Sequence, residues 1–334
     1  MKKITALILL AAMALALAGC GAVEEPAPAV SKQEIEEGEV PLAYLNAVPA
    51  ARRNDISNLN AASHTTGGVV HYLLVNETVT DDDGAYTTEY TYNSDGIVVS
   101  YVYTTPDGSY EYKLTYDENG NITAKTSKKE NVFEYTYDDN GNLVEEYVYT
   151  AKKHTQLYLE QNEYDENGNL TRCFTDTAMS MAGKVLYDVL STDTYQYNED
   201  GSVSIRCRYD DFDDLEYMWE YIYADGKLAE LKCYNGEGPL KSVTTYVYNG
   251  DDIIKETVAD AEGNVASSTV YTYNDLDSIE LKTEYDADGV ETYRTEYNYD
   301  EEGNLAEMIK YRDGELKNET EYQYKSLEEL GIGA

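Results

Sequence analysis

A short turn sequence recurs along this chain and constrains its fold more than any other feature. In the stretch 133–143, aromatic residues alternate with polar ones, which is the period of two of a half-buried β-strand. Residues 138–141 (Asp-Asp-Asn-Gly) follow; Asp favours the first position of a type I turn, and Gly the positive φ of its last. A second alternating segment starts at Leu143. The stretch therefore predicts a β-hairpin with a loop of three to five residues.

The same turn returns from residue 85 to residue 325, with a looser second turn between its copies, as at 105–108, 260–263, 286–289 and 312–314. Successive turn glycines are 24, 21, 27, 33 and 25 residues apart at Gly96, Gly120, Gly141, Gly168, Gly201 and Gly226. Such a period indicates a repeat architecture of strands of about eight residues. The sequence thus predicts an all-β chain: an antiparallel meander of about nine to ten β-hairpin repeats, as an open twisted sheet or a β-solenoid, with short helical caps at both ends.

The recurring Tyr-x-Tyr-(Asp/Asn)-x-x-Gly-(Asn/Ser/Lys)-(Leu/Ile/Val) pattern resembles the YD-repeat, or RHS-type, family over roughly residues 85–325. The resemblance implies successive β-hairpins, which in the largest members wind into a hollow shell around a toxin. This chain has too few repeats for such a shell. It also lacks the Asp-Pro-x-Gly-x-x-Gly-Gly segment that ends the shell in toxin-carrying members. The resemblance therefore implies the hairpin fold and argues against a toxin role.

The N-terminal segment predicts export. Residues 1–19 combine a basic start with an apolar run too short for an ordinary transmembrane helix, as in a signal peptide. They lead into Cys20 in a Leu-Ala-Gly-Cys box that resembles that of bacterial lipoproteins, in which this cysteine is lipidated. We therefore expect an extracytoplasmic protein anchored through Cys20 to the bacterial cell membrane or outer membrane.

The remaining boundaries follow from composition. Residues 20–40 hold the lipidated Cys20 and then an acidic, proline-containing tether that cannot form a core. Residues 41–66 predict an N-terminal cap or short helix, and 67–325 the repeat array. Residues 326–334 open with Ser and Glu three apart, a capping box that predicts a helical C-terminal cap.

Tyrosine dominates the aromatic composition, with 35 Tyr against 3 Phe and 1 Trp. Because each hydroxyl needs a partner or water, the tyrosine-bearing face is expected to be half-buried. The tyrosines are either cross-strand pairs that stabilise the sheet or, in part, an exposed platform for sugars or peptides. Trp219, which shares its face with Tyr217, Tyr221 and Tyr223, is interpreted as a buried anchor in preference to a ligand platform. The small apolar stretch 178–183, in an interruption of the array at 173–190, is a candidate interaction loop.

The formal charge of −39 disfavours binding to nucleic-acid phosphates; its simplest role is solubility. The acidic loops 81–84 and 286–289 are candidates for calcium, but neither continues into a twelve-residue calcium loop, so calcium binding is not favoured. Cys173, Cys207 and Cys233 fall on equivalent strands two strand spacings apart, about 9.5 Å, beyond disulfide reach, so we expect them not to pair.

Catalytic signatures do not stand out. The histidines do not form a metalloprotease motif, the sequence holds no phosphate-binding glycine loop, and the many carboxylates make any proposed pair unspecific. The sequence therefore predicts no cofactor and no enzyme, but a surface-anchored repeat scaffold that binds a protein or glycan partner. A structural spacer or assembly component of the envelope is the alternative, and a carboxylate-based glycosidase a remote one.

Overall fold

A computed structural model describes residues 65–66, 69–70, 72–128, 131–181 and 184–332. The predicted signal peptide, Cys20, the tether and nearly all of the N-terminal cap lie outside these residues. The regular elements of the described part are all β-strands. They are β1 (Thr65–Thr66), β2 (Val69–Val70), β3 (Tyr72–Asp81), β4 (Gly84–Tyr92), β5 (Val98–Thr105), β6 (Gly108–Tyr116), β7 (Ile122–Ser127), β8 (Asn131–Tyr137), β9 (Leu143–Thr150), β10 (Gln156–Tyr164), β11 (Leu170–Met181), β12 (Lys184–Tyr197), β13 (Val203–Tyr209), β14 (Leu215–Ala224), β15 (Lys227–Asn235), β16 (Leu240–Asn249), β17 (Asp252–Asp260), β18 (Val265–Tyr273), β19 (Ile279–Asp286), β20 (Glu291–Tyr299), β21 (Leu305–Arg312) and β22 (Glu315–Ser326).

Strands β3 to β22 form one antiparallel sheet that closes on itself as a twenty-stranded barrel, while β1 and β2 form a separate pair. Each barrel strand pairs with its neighbours in sequence, and β22 pairs with β3 from Asn318↔Asp81 to Ser326↔Tyr72. The prediction of an open sheet or a solenoid is therefore wrong. Closure leaves the sheet without an unpaired edge. The pairing of β22 with β3 joins the two ends of the array, and the residues of either strand alone do not indicate which distant strand it pairs with.

The predicted C-terminal helical cap is also wrong, because the described residues contain no helix. The capping box itself forms: the Glu329 main-chain N–H donates to Ser326 Oγ at 3.2 Å, and the Ser326 main-chain N–H donates to Glu329 Oε2 at 2.8 Å. Residues 327–331 then make only turns. Gly331, at a φ of 68°, takes the left-handed conformation that ends a helix, and one turn is too short to overcome the cost of helix nucleation.

The predicted turns are confirmed, and they alternate between two rims of the barrel. Turns after even-numbered strands lie at one rim, here called the Tyr rim, and turns after odd-numbered strands at the opposite rim. The turn at residues 138–141, within the stretch 133–143 discussed above, is typical. The Gly141 N–H donates to the Asp138 main-chain oxygen at 3.0 Å, and Gly141 has a φ of 85°. At Asp213 and Asp277, an aspartate occupies the same left-handed position.

Residues 178–181, predicted as part of an interaction loop, instead belong to β11. Here β11 and β12 extend to 12 and 14 residues and remain paired as far as Met181↔Lys184. The long step between turn glycines therefore lengthens a hairpin and does not interrupt the array.

The two faces of the barrel wall differ in burial. On β6, Tyr112 and Leu114 are buried, whereas the residues that alternate with them, Glu111, Lys113 and Thr115, are exposed. Cross-strand register places most of the tyrosines on the same face as Tyr112. We call this the tyrosine face. The contrast is clear on β6, whereas on β10 both faces are buried from Leu157 to Glu160.

Candidate functional site

Nine tyrosines of the Tyr rim, counted within the described residues, connect successive repeats. Each is the tyrosine at or next to the end of an even-numbered strand, and its hydroxyl donates to a main-chain oxygen near the start of the preceding strand. The donors are Tyr92, Tyr116, Tyr137, Tyr164, Tyr197, Tyr223, Tyr248, Tyr273 and Tyr299. Seven of the bonds measure 2.7–3.0 Å. These tyrosines are therefore part of the wall and do not form a ligand platform.

The aspartate that follows such a tyrosine closes the turn. Asp138 Oδ1 accepts the main-chain N–H groups of Asn140 and Asn142 at 2.9 and 2.8 Å, and its Oδ2 accepts the Asn142 side-chain amide at 2.9 Å. These bonds, the one from the Asn142 side chain first, hold the pKa of Asp138 below its usual value. The Tyr-Asp pair thus combines two structural roles, a link to the previous unit and a cap for the next turn.

A cluster of opposite charges lies on the tyrosine face of β12 and β13. Asp193, which is 5% exposed, accepts two hydrogen bonds from Arg208 at 3.0 and 2.8 Å and one from Arg206 at 2.8 Å. Burial alone would raise the pKa of Asp193, but the hydrogen bonds from Arg208 and Arg206 outweigh it and lower that pKa. Asp193 therefore stays ionised, and the cluster keeps a surplus of positive charge.

Trp219 lies beside this cluster. The Arg206 guanidinium carbon is 4.8 Å from the centre of the Trp219 ring, and that of Arg208 is 5.9 Å away, within the range of cation–π attraction. The Tyr217 ring lies at 5.6 Å, tilted by 38°. The Lys241 ammonium lies over the Tyr217 ring, 4.5 Å from its centre. Trp219, interpreted from the sequence as a buried anchor in preference to a ligand platform, is half-buried.

Arg208, Tyr217, Trp219 and Lys241, but not Arg206, line a cavity of about 290 Å³. The cross-strand pairs Arg208↔Tyr217 and Trp219↔Cys233 assemble it across neighbouring strands. It lies near the rim opposite the Tyr rim, because Arg208 is close to the end of β13 there and Lys241 is close to the start of β16. Its lining consists of Arg208, Tyr217, Trp219, Leu231, Cys233, Lys241, Ser242 and Thr244. The cavity therefore combines aromatic surface, two cations and two hydroxyls.

A second group of ionisable side chains is a buried carboxylate pair. Glu146 and Glu160 are direct cross-strand partners with exposures of 5% and 0%. Glu160 accepts the Tyr158 hydroxyl at 2.6 Å and the Asn162 side-chain amide at 2.7 Å. Burial, and then the charge of Glu146, raise the pKa of the facing Tyr135. The pair is closed within the wall and presents no surface to a substrate.

The three cysteines predicted not to pair indeed form no disulfide, and they lie on β11, β13 and β15. Cys173 and Cys207 are buried, whereas Cys233 is half-buried at the cavity. Burial raises the pKa of Cys233, while Lys241 acts in the opposite direction.

The acidic loops considered for calcium instead cap main-chain groups. Asp81 accepts the N–H groups of Asp83 and Gly84, and Asp286 accepts those of Asp288 and Val290. Across the described part of the chain, no set of three or more acidic, histidine or cysteine side chains is arranged to hold a metal ion.

Sequence reasoning singled out Trp219 and Cys233 but missed Asp193, Arg206, Arg208 and Lys241. An available signal was the Arg-x-Arg spacing of Arg206 and Arg208, which places both guanidiniums on one face of a strand in a chain that holds few arginines. Lys241 carried no such signal, because it reaches the cavity beside a register irregularity between β15 and β16.

Comparison with known proteins places an RHS repeat in the chain. The RHS-repeat family model matches residues 116–153, which supports an RHS/YD-repeat type of protein built from such hairpin units. No curated protein matches the chain. No helix among the described residues is long and apolar enough to cross a membrane.

Solved structures resemble the barrel only distantly. The crystal structure of TcdB2-TccC3-Cdc42 aligns with 75% of this chain at 13% identity and a TM-score of 0.39. A porin-like protein from Bacteroides uniformis aligns with 75% of this chain and 98% of its own length, at 9% identity and a TM-score of 0.34. This chain spans only 14% of the length of the toxin-complex chain. Scores this low assign neither a fold nor a function.

Proposed function

We propose that this chain is a non-catalytic, lipid-anchored extracytoplasmic protein whose barrel binds a protein or glycan partner. The observation that carries the proposal is the cavity beside Trp219, in which aromatic rings and the cations of Arg208 and Lys241 converge. Pockets with a mostly apolar lining and a few convergent polar groups are the usual form of a ligand site.

The composition of the cavity supports binding without catalysis. Its lining includes no carboxylate and no histidine, the side chains that most often serve in acid–base catalysis. A glycosidase would also need a pair of carboxyl groups at its site; the pair Glu146 and Glu160 is buried in the wall, and the hydrogen-bonded pair Glu307 and Glu319 lies on β21 and β22, outside the lining of this cavity. These features disfavour the glycosidase alternative.

The tyrosine bonds of the Tyr rim favour the other alternative, a structural spacer, because they commit those side chains to the wall. The two functions are separated by an array of glycans, cell-wall fragments and envelope proteins probed with the full-length chain in detergent. Specific binding without conversion of the bound molecule supports the proposal. An array without specific binding would favour the structural spacer over the binding function. Turnover of a glycan by the purified protein would overturn the non-catalytic assignment.

The lipid anchor rests on the sequence around Cys20. A Cys20→Ser variant is expected to leave the membrane fraction, whereas a Cys233→Ser variant, altered at a cysteine of the barrel, is expected to stay there. Membrane association of the Cys20→Ser variant equal to that of the unmodified chain would contradict lipidation at this position.

A further inference from the structure

We infer that the cavity beside Trp219 recognises the carboxylate of an acidic sugar, such as a uronic acid at a chain end. This inference deepens the proposed binding function and rests on it, because it names the class of ligand that the same cavity would take. Three observations carry it: the charge of the cavity, the arrangement of its rings and its size.

The cavity holds positive charge in a strongly acidic chain. Arg206 and Arg208 share the single carboxylate of Asp193, and Lys241 adds another cation to the cavity wall. Two guanidiniums and one ammonium against one carboxylate leave a formal surplus of two positive charges. The side chains of Arg206 and Arg208 are 27% and 35% exposed, so their fields are less screened than those of fully exposed charges.

Geometry favours a carboxylate over a cation as the occupant. Asp193 already fixes Nε and Nη2 of Arg208, so the guanidinium is held in one orientation by one edge. A guanidinium has five N–H donors, so the N–H groups of Nη1 are not used by this ion pair, and Arg208 is part of the cavity lining. A charge-assisted hydrogen bond from a fixed guanidinium to a carboxylate is stronger and more directional than one between neutral groups.

The remaining lining suits a hydroxylated ring. Trp219 and Tyr217 contribute aromatic surface to the lining, with their rings tilted by 38° to each other, and the C–H groups of a sugar ring can pack against the part of this surface that the neighbouring cations leave uncovered. Ser242 and Thr244 add hydroxyls that donate and accept hydrogen bonds. A volume of about 290 Å³ lies just below the usual range for ligand pockets, about 300–1,000 Å³, so we expect it to take a single ring and not an extended chain.

The chain contains a direct reporter of this cavity. Trp219 is the only tryptophan in the sequence, so the tryptophan fluorescence of the full-length protein comes from the cavity alone. The probes are galacturonate and galactose, which share a ring and differ in the carboxylate at C6. We expect galacturonate to change the fluorescence saturably and galactose to cause no saturable change over the same concentrations.

Two lysine variants test the contact. Lys241→Gln removes the ammonium from an exposed position and is expected to weaken galacturonate binding by about two- to fivefold, as for an exposed charge pair. Lys227→Gln is the matched control, because Lys227 also lies over a tyrosine ring, that of Tyr248 at 5.4 Å, but outside the cavity. The control is expected to bind galacturonate as the unmodified protein does.

The outcomes separate this inference from the proposed function. An equal response to both sugars, or an equal loss of affinity in both lysine variants, overturns carboxylate recognition at the cavity. Failure of both sugars to alter Trp219 fluorescence, in a protein that binds a partner on the array, overturns the ligand class and leaves the binding function intact. A blank array would instead remove the proposed function itself.

Discussion

The Tyr299 hydroxyl donates a hydrogen bond to the main-chain oxygen of Ile279 at 2.8 Å, across the pair β19–β20. The same relationship recurs from hairpin to hairpin around the Tyr rim. A phenylalanine would fill the same space but could not donate this bond. The bond therefore explains why tyrosine, and not phenylalanine, occupies these nine of the 35 tyrosine positions in the chain.

Replacing Tyr299 by phenylalanine is expected to lower the free energy of unfolding by about 0.5–1.5 kcal/mol, the usual net contribution of one hydrogen bond. Urea unfolding would measure the change. Tyr293→Phe, at a tyrosine that is 42% exposed at the other end of the same strand, is the control and should change stability by less. If both variants lost the same stability, the hydroxyl bond would not be the cause.

Removal of the Asp138 side chain is expected to destabilise the turn, because three of its hydrogen bonds are lost at once. Asp138→Ala should lower the thermal unfolding midpoint more than Asp139→Ala, which alters the adjacent, exposed residue of the same turn. Equal midpoints for the two variants would contradict the assignment of Asp138 as the cap.

The same carboxylate predicts an effect of acid. Hydrogen bonds lower the pKa of Asp138, and likewise those of Asp117, Asp165 and Asp260, below the ordinary value of 3.8. Their stabilising contribution is thus complete above the unfolded pKa and is lost as the pH falls through the lower folded values. The difference between Asp138→Ala and the unmodified chain should therefore shrink below pH 3.8. A difference that stayed constant in acid would exclude the ionised carboxylate as its source.

Alkaline pH is expected to destabilise the barrel through its buried tyrosines. Burial, the largest effect, raises the pKa of Tyr195 and of Tyr324 from 10.0 to about 12. Between those values the unfolded chain loses the proton first, so stability is complete below pH 10 and falls as the pH rises toward 12. Tyr195→Phe should reduce the slope of unfolding free energy against pH in this window by up to about 1.4 kcal/mol per pH unit. An unchanged slope would show that Tyr195 titrates normally in the fold.

The charge cluster under Trp219 is expected to be a strong local contributor to stability. Asp193→Ala leaves two guanidiniums facing each other, and we expect a loss of about 2–3 kcal/mol, less than for a wholly buried pair because both arginines are partly exposed. Glu315→Ala is the control, since the Glu315–Lys317 pair is largely exposed and should contribute little. Denaturant unfolding of the two variants measures the contrast, and losses of similar size would contradict it.

Much of the local structure could be predicted from the sequence, because it depends on neighbouring residues. The alternation before Asp138 and the glycine after it determine a strand and a turn without reference to the rest of the chain. Closure depends instead on whether Asn318 and Asp81 meet, and that is decided by the accumulated twist of twenty strands. Local pattern alone therefore led to an open sheet or a solenoid.

The candidate site was harder to predict for the same reason. Arg208, Trp219 and Lys241 are separated by at least 11 residues in sequence and meet only through the register of β13 to β16. A shift of one residue in any of these pairings would turn the side chains of a strand to the other face. Charge and aromatic content were visible in the sequence, but their convergence was not.

The pairing of β22 with β3 also sets the order of events when the chain is made. The partner of β3 in that seam is the last strand of the barrel to leave the ribosome, about 240 residues after β3 itself. Until then β3 presents an unpaired edge, and contacts of such long separation form slowly. Completion of this barrel therefore has to wait for the synthesis of β22, and the interval before it is when the chain is most exposed to edge-to-edge association.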